Sequence, residues 1–121
     1  MTISNYLELK FLDMLGGTAF TAPASCYVKL HTGDPGEDGT ANAATETTRK
    51  ALSWNAASSG SKATSASVSW TSVAGTETYS HVSLWDASSA GNCLWSGALS
   101  SSVSVTAGDT FTLSSLTVSL D

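Results

Sequence analysis

The sequence predicts a mainly β fold: a single antiparallel β-sandwich, jelly-roll or Ig-like, of about eight short strands with one N-terminal α-helix. Near the N-terminus the apolar residues repeat with a helical period, whereas later segments alternate apolar and polar side chains. These segments recur about every 8–12 residues with turn residues between them, which is typical of sandwiches and barrels. A chain of 121 residues has room for one hydrophobic core, so residues 1–121 are expected to form a single domain.

The predicted helix covers residues 4–15. Ser4 and Asn5 are suitable N-caps, and Asn5 followed by Glu8 approximates a capping box. Two glycines at 16–17 supply the stop, because glycine readily adopts the left-handed conformation after a helix. A helix this short must dock its apolar side on another surface. That side consists of Leu7, Phe11, Met14 and Leu15, widened by Ile3 and Leu12.

The sandwich is predicted over residues 26–121. Its strands are expected at residues 26–31, 50–54, 66–70, 78–85, 93–99, 102–106, 110–113 and 116–120. The strand at 78–85 is placed centrally because both of its faces carry apolar side chains: Val82 and Leu84 on one, and Tyr79, His81, Ser83 and Trp85 on the other. Gly97 is expected to mark a bulge, and a kink at residues 114–115 keeps the last two strands in phase.

Two segments between the strands are predicted to lack regular structure. Residues 33–48 contain glycines and acidic residues but no large apolar side chain, so they are expected to form a long acidic surface loop. Residues 56–62 are small and polar, which favours a turn.

Composition excludes several function classes. Charged residues make up 12% of the chain and its net charge is −5, while 38 of the 121 residues are serine or threonine. Nucleic acids and anionic membranes both require clustered Lys and Arg, and the five basic residues form no run. Neither is therefore expected as a partner. Hydroxyl-bearing strands leave the sheet edges without charges to block pairing, which suggests assembly.

Candidate catalytic residues are few. His31 is followed by Asp34, and His81 by Asp86, but the abundance of serine makes any Ser-His-Asp match uninformative. The favoured interpretation of His81 is a strand histidine bonded to a neighbour. Other carboxylates, at Glu77 and Asp109, fall in predicted turns, as does Asp86. We therefore predict no enzyme activity and no catalytic residue.

No cofactor or metal is predicted either. Asp34, Glu37 and Asp38 lie close together in the acidic loop, but the pattern of a calcium-binding EF-hand is missing. Adventitious calcium is the alternative to a solvated acidic loop. Cys26 and Cys93 are too far apart in sequence for a metal or redox pair and are expected to be free, buried and structural.

The tryptophans Trp54, Trp70, Trp85 and Trp95 are the largest apolar side chains. Each occupies a strand position beside aliphatic residues, which favours a place in the core. The alternative is an exposed platform for sugars. The N-terminus lacks the basic and apolar pattern of a secretory signal, so the chain is expected to begin with its mature fold.

Several stretches spread over nearly the whole chain carry a family resemblance. The most specific is the first strand followed by His-Thr-Gly-Asp-Pro-Gly at residues 31–36. The matching stretches are residues 4–8, 15–23, 27–39, 84–87, 91–94, 97–99, 107–110 and 116–120. The chain resembles a family of short tailed-bacteriophage virion proteins, whose members are commonly labelled tail fibre proteins or capsid decoration (cement) proteins.

The resemblance implies a structural protein of the virion surface, synthesised and assembled in the cytoplasm of the bacterial host, with no catalytic residue. The leading expectation is a decoration protein that binds the major capsid protein, or another virion protein, as a homotrimer and stabilises the shell. The first alternative is a tail fibre or tail-tip subunit, and the second is a carbohydrate-binding module for host glycans.

Overall fold

The computed structural model describes residues 1–120, which contain one helix and nine strands in antiparallel sheets. The elements are β1 Thr2–Ile3, α1 Asn5–Leu15, β2 Cys26–His31, β3 Lys50–Leu52, β4 Ser61–Ala63, β5 Val68–Trp70, β6 Glu77–Trp85, β7 Cys93–Val105, β8 Phe111–Leu113 and β9 Thr117–Ser119. The predicted class, mainly β with one N-terminal helix, is confirmed. Asp121, the last residue of the predicted domain, lies outside the described residues.

The strands form one large sheet and two small ones. The large sheet has the order β1-β7-β6-β2-β3, and the pairs β4-β9 and β5-β8 form the small sheets. The predicted central position of β6 is confirmed, since β7 and β2 flank it. All three sheets contribute to one hydrophobic core, which includes Leu30, Val82, Trp70, Phe111 and Val118. The strands outside the large sheet form two separate pairs, so the jelly-roll or Ig-like sandwich stays a prediction.

The structure corrects three strand predictions. The predicted turn at 56–62 contains the beginning of β4, because Ser61 and Lys62 pair with β9. The strands predicted at 93–99 and 102–106 are one strand, β7, in which residues 99–102 bulge opposite Ser80. Gly97 marks no bulge, since it pairs regularly with Val82.

Gly97 is required for a different reason, which is that it has no side chain. A Cβ at this position would lie 2.9 Å from Cγ of Met1, so glycine makes room for the N-terminal residue beside β7. The adjoining residues, Thr2 and Ile3, pair with Ser96 and Trp95 as the short strand β1. The sequence pattern did not predict β1, because two residues show no periodicity.

The strand β6 changes face along its length. Tyr79, Val82 and Leu84 all belong to the core, although strict alternation assigned Tyr79 to the face opposite Val82. The change coincides with the irregular register between Tyr79 and His81. Beyond it, Ser83 and Trp85 lie on the face that the acidic loop covers.

The helix begins one residue earlier than the predicted capping box requires. Ser4 is the N-cap, and its Oγ accepts a hydrogen bond from the Leu7 amide at 3.2 Å. The same hydroxyl donates to the Cys93 carbonyl oxygen at 2.6 Å, which attaches the helix start to β7. Asn5 is therefore the first helical residue, and the box formed by Asn5 and Glu8 is wrong.

The acidic loop, residues 33–48, is irregular as predicted but lies against the large sheet. Pro35, Gly39, Ala44 and Glu46 within it are buried. Its backbone is attached at several points; for example, the Ala44 amide donates to the Leu30 carbonyl oxygen at 3.1 Å. The loop therefore forms part of the packed structure.

Candidate functional site

A buried chain of hydrogen bonds connects His31 to the acidic loop. The Ala41 carbonyl oxygen lies 2.9 Å from His31 Nδ1, and Ser83 Oγ lies 2.7 Å from His31 Nε2. Because a carbonyl oxygen only accepts, Nδ1 carries the proton and Nε2 accepts from Ser83. The Trp85 indole N–H then donates to Ser83 Oγ at 2.7 Å. The side chains of His31, Ser83 and Trp85 thus each have a hydrogen-bond partner.

This arrangement contains a Ser-His pair but not the geometry of a hydrolase. His31 and Ser83 are fully buried, so no substrate can approach the serine oxygen. The third position is occupied by the Ala41 carbonyl oxygen, whereas a triad needs a carboxylate there. His81, the other candidate, lies 2.8 Å from the neighbouring Ser80 Oγ through its Nδ1. The structure pairs neither histidine with the aspartate that follows it.

The stability of the fold is expected to fall in mild acid because of His31. Burial lowers the pKa of His31 below its ordinary value of 6.5, so the unfolded chain takes up this proton first. The contribution is complete above about pH 6.5 and is lost as the pH falls towards the folded pKa. Urea unfolding between about pH 5 and 7.5 should show this loss. His31→Gln should remove that part of the pH dependence, and His81→Gln should keep it; an unchanged slope in His31→Gln would contradict the assignment.

Several acidic side chains accept hydrogen bonds from backbone amides in turns and loops. Asp34 accepts from the Gly36 amide at 2.9 Å, and Asp38 accepts from the amide and hydroxyl of Thr40 at 3.1 and 2.8 Å. The bonds from Thr40 lower the pKa of the Asp38 carboxyl. Glu77, Asp86 and Asp109 likewise accept backbone amides, from Thr45, Asn92 and Thr106.

Within residues 1–120, no group of three or more His, Cys, Asp or Glu side chains is placed to hold a metal ion. We therefore expect EDTA to change the Tm by less than about 5 °C, because loss of a native-state ligand worth about 2 kcal/mol would lower it by more than that. Thermal unfolding followed by circular dichroism, with and without EDTA, measures this. Restoration of a lowered Tm by added calcium would contradict it.

The two cysteines are free. Cys93 is buried as predicted, whereas Cys26 is only half-buried. Burial raises the pKa of the Cys26 thiol to about 12 and that of Cys93 to about 11. Both side chains are therefore uncharged thiols at neutral pH, a poor state for nucleophilic chemistry.

The tryptophans divide into two pairs. The predicted core position is confirmed for Trp70 and Trp85, which are 1% and 7% exposed. The Arg49 guanidinium lies 4.0 Å from the Trp85 ring centroid and donates to carbonyl oxygens of the turn after β6. Trp54 and Trp95 are only half-buried, so the core prediction is incomplete for them.

Trp54 and Trp95 line a cleft of about 370 Å³ beside the helix. We call it the apolar cleft; its lining includes Leu7, Phe11, Phe20, Pro23, Cys26, Leu94, Val118 and Leu120. The hydroxyl-bearing or charged side chains in the lining are those of Ser61 and Lys62. An apolar opening of this size fits other apolar side chains better than a sugar, which needs several placed polar groups.

The helix docks through Leu7 and Phe11 of the predicted stripe, but the rest of that stripe is exposed, so the predicted docking is only partly met. Leu7 is 2% exposed, but Met14 and Leu15, from the same predicted stripe, are 47% and 86% exposed. Leu9 and Leu12 are also more than half exposed. Leu9, Leu12 and Leu15 follow one another at i, i+3 and i+6, so they share one side of the helix. We call these three residues the leucine ridge.

No helix within residues 1–120 has the length and apolar character needed to cross a lipid bilayer. Comparison with known proteins gives the family. A family model described as "Podophage GP4 fiber I protein gp80" matches residues 2–121. The chain belongs to this fiber I family. The resemblance inferred from the sequence is thereby confirmed, and the chain is a structural component of a short-tailed phage particle. No curated protein is significantly similar to it.

Proposed function

We propose that this fiber I chain is a non-catalytic fibre subunit on the surface of a podophage particle, where several copies associate, three in the simplest fibre. The observation that carries the proposal is the match of a fiber I family model to residues 2–121. The packing of His31 and Ser83 away from solvent supports a structural role, since this Ser-His pair has no route to a substrate.

The helix end of the domain supports association with other protein surfaces. The leucine ridge and the apolar cleft both leave apolar area open to solvent, which marks interaction sites in other proteins. Only 12% of the residues are charged, so burial of apolar and hydroxyl groups must supply most of any interface. Many such contacts acting together can hold a weakly binding subunit on a particle.

Capsid decoration, which the sequence alone favoured, is the alternative. Both roles suit a small, uncharged β protein, but the family that the chain belongs to is described by the word fiber. We therefore place the fibre role first. The fibre and decoration roles differ in copy number. The low symmetry of the tail sets the number of fibre subunits, whereas the many subunits of the capsid shell set the number of decoration proteins.

Quantitative mass spectrometry of purified particles tests the proposal. A fibre subunit should be present in a few to tens of copies per particle, and a decoration protein in hundreds. The subunit should stay bound in about 1 M NaCl, because salt at this level screens exposed ion pairs but leaves apolar contacts intact. Release of the protein in the first salt wash, or a copy number in the hundreds, would contradict the fibre proposal.

A further inference from the structure

We propose that the leucine ridge of one copy of this chain packs into the apolar cleft of a second copy, and that this contact assembles the fibre subunits. The inference rests on the proposed function in one respect, the presence of several copies together. It adds the surface through which they bind and the identity of the occupant.

The leucine ridge has the form of one half of a helix interface. Leu9, Leu12 and Leu15 are 62%, 61% and 86% exposed, while Leu7 on the other side of the helix is buried against the domain. Spacing of three residues aligns the leucines along one side, and six residues of helix cover about 9 Å. The domain therefore holds α1 through Leu7 and leaves the ridge available.

The apolar cleft has the form of the other half. Residues 1–120 leave it open, and its walls include Trp54, Trp95 and Phe20. The Phe11 ring packs edge-on against Trp95 with centroids 6.4 Å apart, so α1 holds one wall in place. Large apolar side chains can enter such a cleft without burying unpaired polar groups.

Charges agree with a second copy as the occupant. Glu8 and Asp13 are both exposed on α1. With 3.6 residues per turn, Glu8 continues the line of Leu12 and Leu15, and Asp13 lies beside Leu9. Lys62 belongs to the cleft lining, and its Nζ donates to the Asn55 carbonyl oxygen at 2.6 Å. An ammonium group has three donors, so Lys62 can also bind a carboxylate that flanks an inserted ridge. The same chain thus carries an acid-flanked ridge and a cleft with a basic residue.

The ridge and the cleft are different patches of one chain, so the contact is heterologous. A heterologous contact closes into a ring when the rotation between copies permits, and otherwise continues as a filament. In a ring, the ridge of each copy would fill the cleft of the next copy. Every leucine ridge and every apolar cleft would then be covered.

Sedimentation velocity of the full chain over a concentration series, with two variants, tests the contact. Leu15→Lys alters the ridge and Leu120→Lys alters the cleft, where Leu120 is 50% exposed. The new ammonium group of Leu15→Lys would enter the apolar cleft of the partner copy, and that of Leu120→Lys would lie in the cleft that also contains Lys62. Each variant alone should therefore associate at least about 30-fold more weakly than the wild type. Because both positions are exposed, the circular dichroism spectrum and Tm should stay close to wild type.

Mixing the two variants gives the decisive result. Leu120→Lys keeps an intact ridge and Leu15→Lys keeps an intact cleft, so the mixture should form a one-to-one heterodimer. Val103→Lys, a change of a 39% exposed side chain on β7, should associate like the wild type. A monomeric wild type, a mixture that stays monomeric, or loss of association in Val103→Lys would overturn the inference. Particles that carry the chain on the fibre while the purified protein is monomeric would overturn this contact alone and leave the proposed function standing.

Discussion

Replacing Trp70 with alanine is expected to lower the free energy of unfolding by about 3–5 kcal/mol. The side chain is 1% exposed and packs against Phe111 with ring centroids 5.7 Å apart. Its indole N–H donates to the Thr48 carbonyl oxygen at 2.7 Å, which attaches the end of the acidic loop to β5. The substitution therefore leaves both a cavity and an acceptor without its donor. Urea unfolding followed by tryptophan fluorescence or circular dichroism measures the loss.

Trp54→Ala is the matched control for this experiment. Trp54 is half-buried at the apolar cleft, so its removal deletes the same atoms from a site that water already reaches in part. Its cost should be about 1–2 kcal/mol. A loss below about 1 kcal/mol for Trp70→Ala, or equal losses for the two variants, would contradict the core position assigned to Trp70.

Replacing Gly39 with alanine should destabilise the fold by about 2–4 kcal/mol. Its φ angle is +72°, and an added Cβ would lie 2.7 Å from Cys93 Sγ and 2.9 Å from Trp85 Cζ2. The new methyl group thus meets two side chains of the large sheet, both of them buried. The acidic loop would have to move away from the sheet, which also disturbs the bond between Ala41 and His31.

Gly36→Ala separates the two causes of this effect. Gly36 has nearly the same φ angle, +74°, but an added Cβ would meet only Asp38 Oδ1 at 3.6 Å. Gly36→Ala should therefore show the backbone strain alone, about 1 kcal/mol. Urea unfolding of both variants gives the difference. Equal destabilisation would show that the loop does not pack closely against Trp85 and Cys93.

The sequence predicted the parts of the fold that depend on local periodicity. The strand at Cys26–His31 was predicted with its observed bounds, and β6 was placed centrally because both faces are apolar. Residues 114–115 separate β8 from β9, which bury Phe111 and Val118 in shifted phase and pair with different strands. The change of phase agrees with the predicted kink. These features follow from the alternation of apolar and polar side chains, which can be read from neighbouring residues in the sequence.

Features that depend on distant residues were missed. The strand β4 consists of Ser-Lys-Ala and forms because β9 pairs with it, which its own residues do not reveal. The buried chain through His31 needs Ser83, 52 positions away. The exposed ridge on α1 was missed for a related reason: the stripe beginning at Leu7 predicted one apolar side, but tertiary contacts bury only its first residue.

Our central proposal is that this chain is a subunit of the fibre on a podophage particle. Electron micrographs of intact particles labelled with gold-tagged antibody against the chain test it most directly. The account predicts gold at the short tail or at fibres attached to it, with the shell unlabelled. Gold spread evenly over the capsid shell, or particles without label, would contradict it.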